Sequence, residues 1–429
     1  MEPFAPLLSP LIEESLVEVG QDRYRQGMLL IPVLVVWLVL ALTMRRDLNA
    51  YQVLEWMIAS YRWATMTLPA ELLCAGAISH ARMRVGVEVF RVLFFKLGQH
   101  FDSLAPDFHG RVSVIFDGVV LSMPDTPSNC DAFSKPTNNR GRAGFPMMRV
   151  VTLMVASVRL HLDVAFAPYK GKGTGERSLA TQILERCTLA NLLFLFDAGF
   201  YSSALLTMLK KHDYIMKVSK RVNLKPIVGS FLPDGSYLVE VSGITIRVIN
   251  IEIKGFRAFR LVTSLLDPTI SALEIVKHYH KRWGIEISYD EIKTHQCATL
   301  RGQAPTVLRS KRSELIEQEL YALLISYNMT RWLMLQAADE YHVEPLDLSF
   351  LDCLQWIVDA VDQLECHEYL SYLMSESTID RPRRKRVNPR VIKVKMSKFR
   401  RKRDGDEERK IDYEEMTQIL SFEEFEKAS

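Results

Sequence analysis

VSVIFDG, residues 112–118, is where helical spacing of apolar positions gives way to a short unbroken apolar run ending in an acid. Before it, residues 10–19, 30–44, 49–63 and 84–99 carry apolar positions three and four apart, which predicts an all-α N-terminal domain over 1–105. After it, Asp117-Gly118 predicts a tight turn or a strand bending onward into VVLSMP. The polar loop PDTPSNCDAFSKPTNNRGRAG then leads to two further strands, RVVTLMVAS and LDVAFAPY. GERSLATQILERC reads as helix, NLLFLFD as a buried strand closing on Asp197, SSALLTMLKKH as helix and YIMKVSK as strand. Residues 106–220 thus run β-β-β-α-β-α-β, an α/β domain on a mixed sheet.

SYLVEV, ITIRVINIEI and FRLVTSLL add a β-rich insertion over 221–266. In segment 267–310, Ser271 with Glu274 forms a capping box, so a helix from 272 to 294 completes the order as β-β-β-α-β-α-β-α. Gly284 inside it costs about 1 kcal/mol against alanine. Residues 311–380 read as a helical C-terminal region, and 381–429 as a basic segment followed by an acidic tail.

At 429 residues, 48% hydrophobic and 24% charged, the chain has the composition of a globular protein of two or three domains. Its net charge of +3 conceals RPRRKRVNPRVIKVKMSKFRRKR, residues 381–403, with thirteen Arg or Lys and no acid; +3 minus thirteen leaves −10 elsewhere. Such a block is either a solvated tail or a contact for a polyanion, and nucleic acid is the expected partner. Residues 404–429 hold ten acids against three bases and are expected to fold back on the basic block. The six cysteines are scattered, without CxxC or zinc spacing, which predicts reduced thiols in a cytoplasmic protein. MLLIPVLVVWLVLALTM, residues 28–44, is short for a membrane span and reads as a buried helix; no membrane partner is expected.

Two carboxylates, Asp117 and Asp197, stand at the ends of apolar strands, and Glu286 projects from the helix. In α/β sheets, ligands collect at strand ends. Three converging carboxylates would repel by about 4 kcal/mol per pair at about 4 Å and an effective dielectric near 20. A divalent cation relieves this, and hard oxygens suit Mg²⁺ or Mn²⁺, two ions being the form that drives displacement at phosphorus. In YHKRWGIEISYDEIK, residues 279–293, Tyr279, Arg282, Glu286 and Lys293 fall within an arc of roughly 60° at about 100° per residue. Arg and Lys there would grip phosphate, and Tyr could stack on a base. The plainer readings are a salt-bridged surface, with Arg282 and Glu286 as an i, i+4 pair, and aspartates acting as turn or cap residues. Trp283 is expected to pack. GKGTGER, residues 171–177, lacks the spacing of a nucleotide-binding loop.

The spacing Y-x2-R-x3-E-x6-K, filled here by Tyr279, Arg282, Glu286 and Lys293, resembles the signature of the insertion sequence 4 family of bacterial DDE transposases. DGVVLSMPDTPSN is similar to that family's first-aspartate region, TGERSLA followed by DAGFYS to its second, and LLIPVLVVWLVLALTMRRDLNAYQVLEWM to its helical N-terminal domain. The likeness covers most of residues 10–400; Val119 stands where relatives often carry Thr. It implies a ribonuclease H-like catalytic domain interrupted by the insertion. Asp117, Asp197 and Glu286 would be its catalytic, metal-binding acids, with Mg²⁺ (or Mn²⁺) as cofactor.

The resemblance further implies DNA contacts from Tyr279, Arg282 and Lys293 and an N-terminal domain that binds DNA ends. Arg383, Arg384, Lys385 and Arg386 in the basic block would contact the DNA backbone. The expected reaction is cut-and-paste transposition through a hairpin, on double-stranded DNA with terminal inverted repeats and a target. A homodimer is expected in the synaptic complex, nucleoid-associated in a bacterial cytoplasm. A catalytically inactive DNA-binding relative that represses transposition, or a stand-alone nuclease of the same fold, would share most of these features.

Overall fold

The strand that begins at Val112 does not stop at the aspartate. In the computed structural model β1 spans Val112–Ser122, with Asp117 near its middle, so of the two readings at Asp117-Gly118 the continuing strand holds and the tight turn does not. Ser113 to Phe116 are buried and Asp117 to Val120 half-buried, so the apolar run breaks at the aspartate although the strand goes on. The structure describes residues 4–60, 75–100, 104–138, 141–142, 144–253, 257–299, 302–303, 306–360 and 417–427. The basic block, with Arg383, Arg384, Lys385 and Arg386, lies outside the described residues. The chain forms two compact units: Met1–Ala105, Phe116–Thr188 and Trp283–Ile379 make the first, and Pro106–Ile115, Leu189–Arg282 and Asp380–Ser429 the second.

In the first unit, helices α1 (Ala5–Val19), α2 (Pro32–Met44), α3 (Ala50–Ser60), α4 (Ala75–Val85) and α5 (Glu88–His100) are built with the long α11 (Ser313–Tyr341) and α12 (Phe350–Ala360). The N-terminal and C-terminal helices are thus part of one compact unit. The periodic stretch 84–99 is divided between α4 and α5 because Gly86 takes φ +76°, a conformation few other residues accept. α2 is apolar on every face, and Val35 to Met44 are all buried, as such a helix must be in water. Its Thr43 hydroxyl donates to Ser326 Oγ on α11 at 2.7 Å. Among the described residues no helix is long and apolar enough to cross a membrane. Next to α2, the buried Glu319 carboxylate accepts from Arg46 at 2.9 Å and from the Arg309 and Ser310 amides at 2.9 and 2.8 Å. This satisfies a charge that would otherwise be costly to bury.

The same unit holds α6 (Pro127–Phe133), two-residue strands β2 (Thr137–Asn138) and β3 (Gly141–Arg142), the antiparallel pair β4 (Met147–Val155) and β5 (His161–Pro168), and α7 (Glu176–Arg186). The second unit begins with the first residues of β1, followed by β6 (Leu192–Phe196), α8 (Ser203–Met208), β7 (Asp213–Val218), β8 (Tyr237–Val241), β9 (Ile244–Ile253), β10 (Phe259–Thr263) and α9 (Ala272–Tyr279). β6 and β7 are parallel, and all five residues of β6 are buried, as in a sheet covered on both faces. Within the first unit the strand order is β5-β4-β1, and within the second β1-β6-β7-β10-β9. β10 pairs antiparallel with β7, Arg260 opposite Val218, so the insertion extends the main sheet instead of forming its own.

The outer edge of β9 is covered twice. β8 takes residues Ile244 to Val248 and β13 (Thr417–Leu420) takes Asn250 to Ile253, followed by α13 (Phe422–Lys427). The expected acidic tail is thus, over 417–427, an added strand and helix: Phe425 is buried, with the Arg260 guanidinium 4.4 Å from its ring centre, and Glu426 pairs with Arg260 at 3.1 Å. Covering a sheet edge removes unpaired backbone groups from water. Replacing Phe425 by Ala should lower stability by about 3 kcal/mol and speed amide exchange over Asn250–Ile253, measured by hydrogen exchange; unchanged protection would mean the segment contributes nothing to the sheet.

Candidate active site

Asp117 is fixed through its backbone. Its carbonyl oxygen accepts from the Tyr289 hydroxyl at 2.8 Å, and its Oδ1 accepts from the next amide, Gly118 N–H, at 2.8 Å. A methyl on Gly118 would meet the Glu176 side chain at 2.6 Å, so only glycine lets that second acid lie across the strand.

The acid-bearing helix is not the single helix expected over 272–294. α9 ends at Tyr279, a 3-10 turn covers His280–Trp283, α10 spans Gly284–Asp290, and Glu291–Gln296 form a π-helix. The 3-10 turn and the π-helix interrupt the regular spacing of about 100° per residue on which the shared arc of Tyr279, Arg282, Glu286 and Lys293 rests. The π turn has an identifiable cause. Glu291 is buried and accepts from Arg159 Nη1 at 2.8 Å, Tyr327 Oη at 2.6 Å and Arg331, while Gln296 donates to the Leu323 carbonyl at 3.1 Å. Residues five apart stand about 140° apart in an α-helix; i→i+5 bonding brings them to one side, where both reach α11.

Glu286, Tyr289, Asp290, Lys293, Thr294, Cys297, Thr306 and Val307 line a cavity of about 450 Å³ in the first unit. Glu286 and Lys293 therefore do share a site, with Lys293 exposed. Burial pushes the Cys297 thiol up to about 11, so it stays protonated and the available donors are hard oxygens. That donor chemistry fits a divalent cation such as Mg²⁺. Among the described residues, no three His, Cys, Asp or Glu side chains are gathered tightly enough to hold a metal ion.

In the second unit, Asp197 follows β6 directly and opens a 3-10 turn, Ala198–Phe200, without making a side-chain cap to it. Tyr279 is only 7% exposed, and its hydroxyl donates to the Phe196 carbonyl at 3.0 Å. It holds the peptide that enters Asp197. Arg282 is half-buried, and Trp283, expected to pack, is 44% exposed. His278 contacts Ser113 Oγ at 2.6 Å, a structural pairing within this unit.

Sequence reasoning passed over Tyr289, Thr152 and Glu176. Tyr289, three residues after Glu286, was within reach of helical spacing, but nothing marks the partners of its hydroxyl. α10 is also held by Ser288, whose hydroxyl meets His161 Nε2 at 2.8 Å. Burial, then the Arg331 charge, depresses His161 to about 3. The unfolded chain binds this proton near its ordinary value of about 6.5 and the folded chain does not, so stability falls as pH drops from 6.5 toward 3. Between pH 7 and 5 the loss should be about 2 kcal/mol, and a His161→Gln variant, checked by urea unfolding, should lose that slope.

Aspartates on β1 and after β6, and a helical glutamate sharing a cavity with a lysine, are residue types suited to metal-dependent chemistry at phosphorus. The chain belongs to the insertion sequence 4 family of DDE transposases: the family described as "Transposase DDE domain" matches residues 109–329, and "Insertion element 4 transposase N-terminal" matches residues 5–95. It is similar to the transposase InsG for insertion sequence element IS4 of Escherichia coli (strain K12), 28% identical over 424 residues and covering 91% of each chain. A solved piggyBac transposase synaptic complex with hairpin DNA is 9% identical with a TM-score of 0.47, over 87% of this chain and 80% of that one. The chain is thus a transposase, an enzyme acting on DNA, and its domain family depends on a divalent metal ion.

Proposed function

We propose that this transposase excises and inserts its element by cut-and-paste phosphoryl transfer, with Asp117, Asp197 and Glu286 as the three acids of a ribonuclease H-like core. The observation that carries this reading is that Glu286 and Lys293 line one cavity, as a metal carboxylate and a phosphate-binding cation must. Asp197, directly after the buried β6, supports it, and Asp117 adds a half-buried acid within β1, where the buried run Ser113–Phe116 ends.

Asp117, Asp197 and Glu286 would hold a divalent cation, Mg²⁺ or Mn²⁺ and two ions in the full complement, which when bound would offset negative charge on the phosphoryl oxygens and activate water. Lys293, exposed at the cavity, holds a phosphate of the scissile strand as a point charge. Arg282 grips the flanking backbone. Every step exchanges one P–O bond for another, so no energy source is needed. Water displaces a 3′-oxygen at the element end; the freed 3′-hydroxyl attacks the opposite strand, closing a hairpin and releasing flanking DNA. A second water reopens it, and the 3′-hydroxyl then attacks target DNA. Two copies of the chain, one per inverted repeat, act together, and the block with Arg383, Arg384, Lys385 and Arg386 adds sequence-independent affinity. The setting is a bacterial cytoplasm.

The test is a duplex ending in the element's terminal repeat, incubated with the full chain and Mg²⁺. Nicked, hairpin and joined products that vanish with chelator are expected. Binding without metal-dependent cutting would make the chain an inactive DNA-binding relative, and cutting without joining a stand-alone nuclease.

A further inference from the structure

The Tyr289 hydroxyl touches two groups, the Asp117 carbonyl at 2.8 Å and Thr152 Oγ1 at 2.8 Å. A carbonyl only accepts, so Tyr289 gives its one proton to Asp117 and Thr152 must donate to Tyr289. The chain of donors runs from β4 through α10 to β1, all in the first unit.

Its target is one peptide. The Asp117 carbonyl is held by Tyr289, and the amide on the other side of that peptide, Gly118 N–H, is bound by Asp117's own Oδ1. Turning the peptide would break both bonds and move the carboxylate. Tyr289 also stands one turn after Glu286, with which it lines the cavity, so its hydroxyl sets the span between the helix carrying Glu286 and the strand carrying Asp117. In the second unit Tyr279 makes the same kind of bond to the carbonyl of Phe196, the residue before Asp197.

We propose that Tyr289 is a positioning residue of the transposition reaction, its hydroxyl holding the Asp117 peptide so that the Asp117 carboxylate is presented at a fixed distance and angle from Glu286. The inference rests on the reading of Asp117 and Glu286 as metal-binding acids. It assigns Tyr289 no contact with DNA. Outer hydrogen bonds of this kind commonly change metal affinity or activity by about 10- to 100-fold.

The experiment uses the full chain on its terminal-repeat duplex. Tyr289→Phe removes one oxygen and keeps the ring. It should bind the DNA end within about twofold of wild type, lose about 10- to 100-fold in single-turnover cleavage, and bind Mn²⁺ about tenfold more weakly in an electron paramagnetic resonance titration. Thr152→Val, which deletes the donor behind Tyr289, should shift Mn²⁺ affinity the same way by less, Thr152→Ser should restore it, and the double variant should be no worse than Tyr289→Phe alone. A lowered melting temperature with unchanged Mn²⁺ affinity and cleavage in Tyr289→Phe, or, should that variant not fold, in Thr152→Val, would make the pair packing residues and overturn the inference. Asp117→Asn and Glu286→Gln run alongside. If they still bind Mn²⁺ and cut, the assignment of the acids has failed; if they are inert while Tyr289→Phe matches wild type, only the positioning role has.

Discussion

Asp117→Asn, Asp197→Asn and Glu286→Gln should each lower DNA cleavage by at least about 10³-fold while leaving end binding within a fewfold of wild type. An amide keeps the shape of the acid and removes the charge that retains a divalent cation. The transition-state stabilisation lost with the ion is several kcal/mol, and about 1.4 kcal/mol is a factor of ten in rate. DNA binding survives because phosphate contacts come from Lys and Arg. Gel analysis of a labelled terminal-repeat duplex separates the two quantities. An amide variant that still cuts within tenfold of wild type would remove that residue from the catalytic set.

Glu291→Ala should be the most damaging single change to the fold near the site. Glu291 is the shared acceptor for Arg159, Arg331 and Tyr327, all buried or nearly so. Removing it leaves two guanidinium groups without their carboxylate, and breaking a buried pair this way costs about 3–5 kcal/mol. Equilibrium unfolding in urea should show that loss. The π turn should relax as well, since its first anchor to α11 is gone, and Lys293 within it should leave the cavity wall. Variants that still fold should therefore have a shallower salt dependence of DNA-end binding, by about one phosphate contact. A loss of stability below about 1 kcal/mol would show that the arginines find other partners and that Glu291 does not hold the turn.

Much of this molecule is legible in local pattern. NLLFLFD became β6 with Asp197 just past it, because a five-residue apolar run fits a strand covered on both faces. The fully apolar α2 became a buried helix for the same kind of reason. Glu286 and Lys293 were found by spacing and do line one cavity. The reading erred where periodicity was carried through places that tertiary contacts override. The helix over 272–294 breaks into α9, a 3-10 turn, α10 and a π turn, the last anchored at Glu291 and Gln296. Tyr279 turned inward to the Phe196 carbonyl. The charge count of 404–429 concealed a strand, because Ile419, Leu420 and Phe425 are few among many acids and gain their value only against β9.

By itself, the sequence determined which runs must be buried, which residue types offer hard oxygen and cationic donors, and in what order they come, since these depend on neighbours within a turn or a strand. The tertiary structure alone decided that Tyr289 bonds Thr152 and Asp117, partners 137 and 172 residues away in the chain. It also decided that β1 continues through its aspartate and that the chain's last described strand closes β9. Hydrogen bonds over such separations leave no periodic trace, because each partner satisfies its own local pattern and only folding brings the two oxygens within 3 Å.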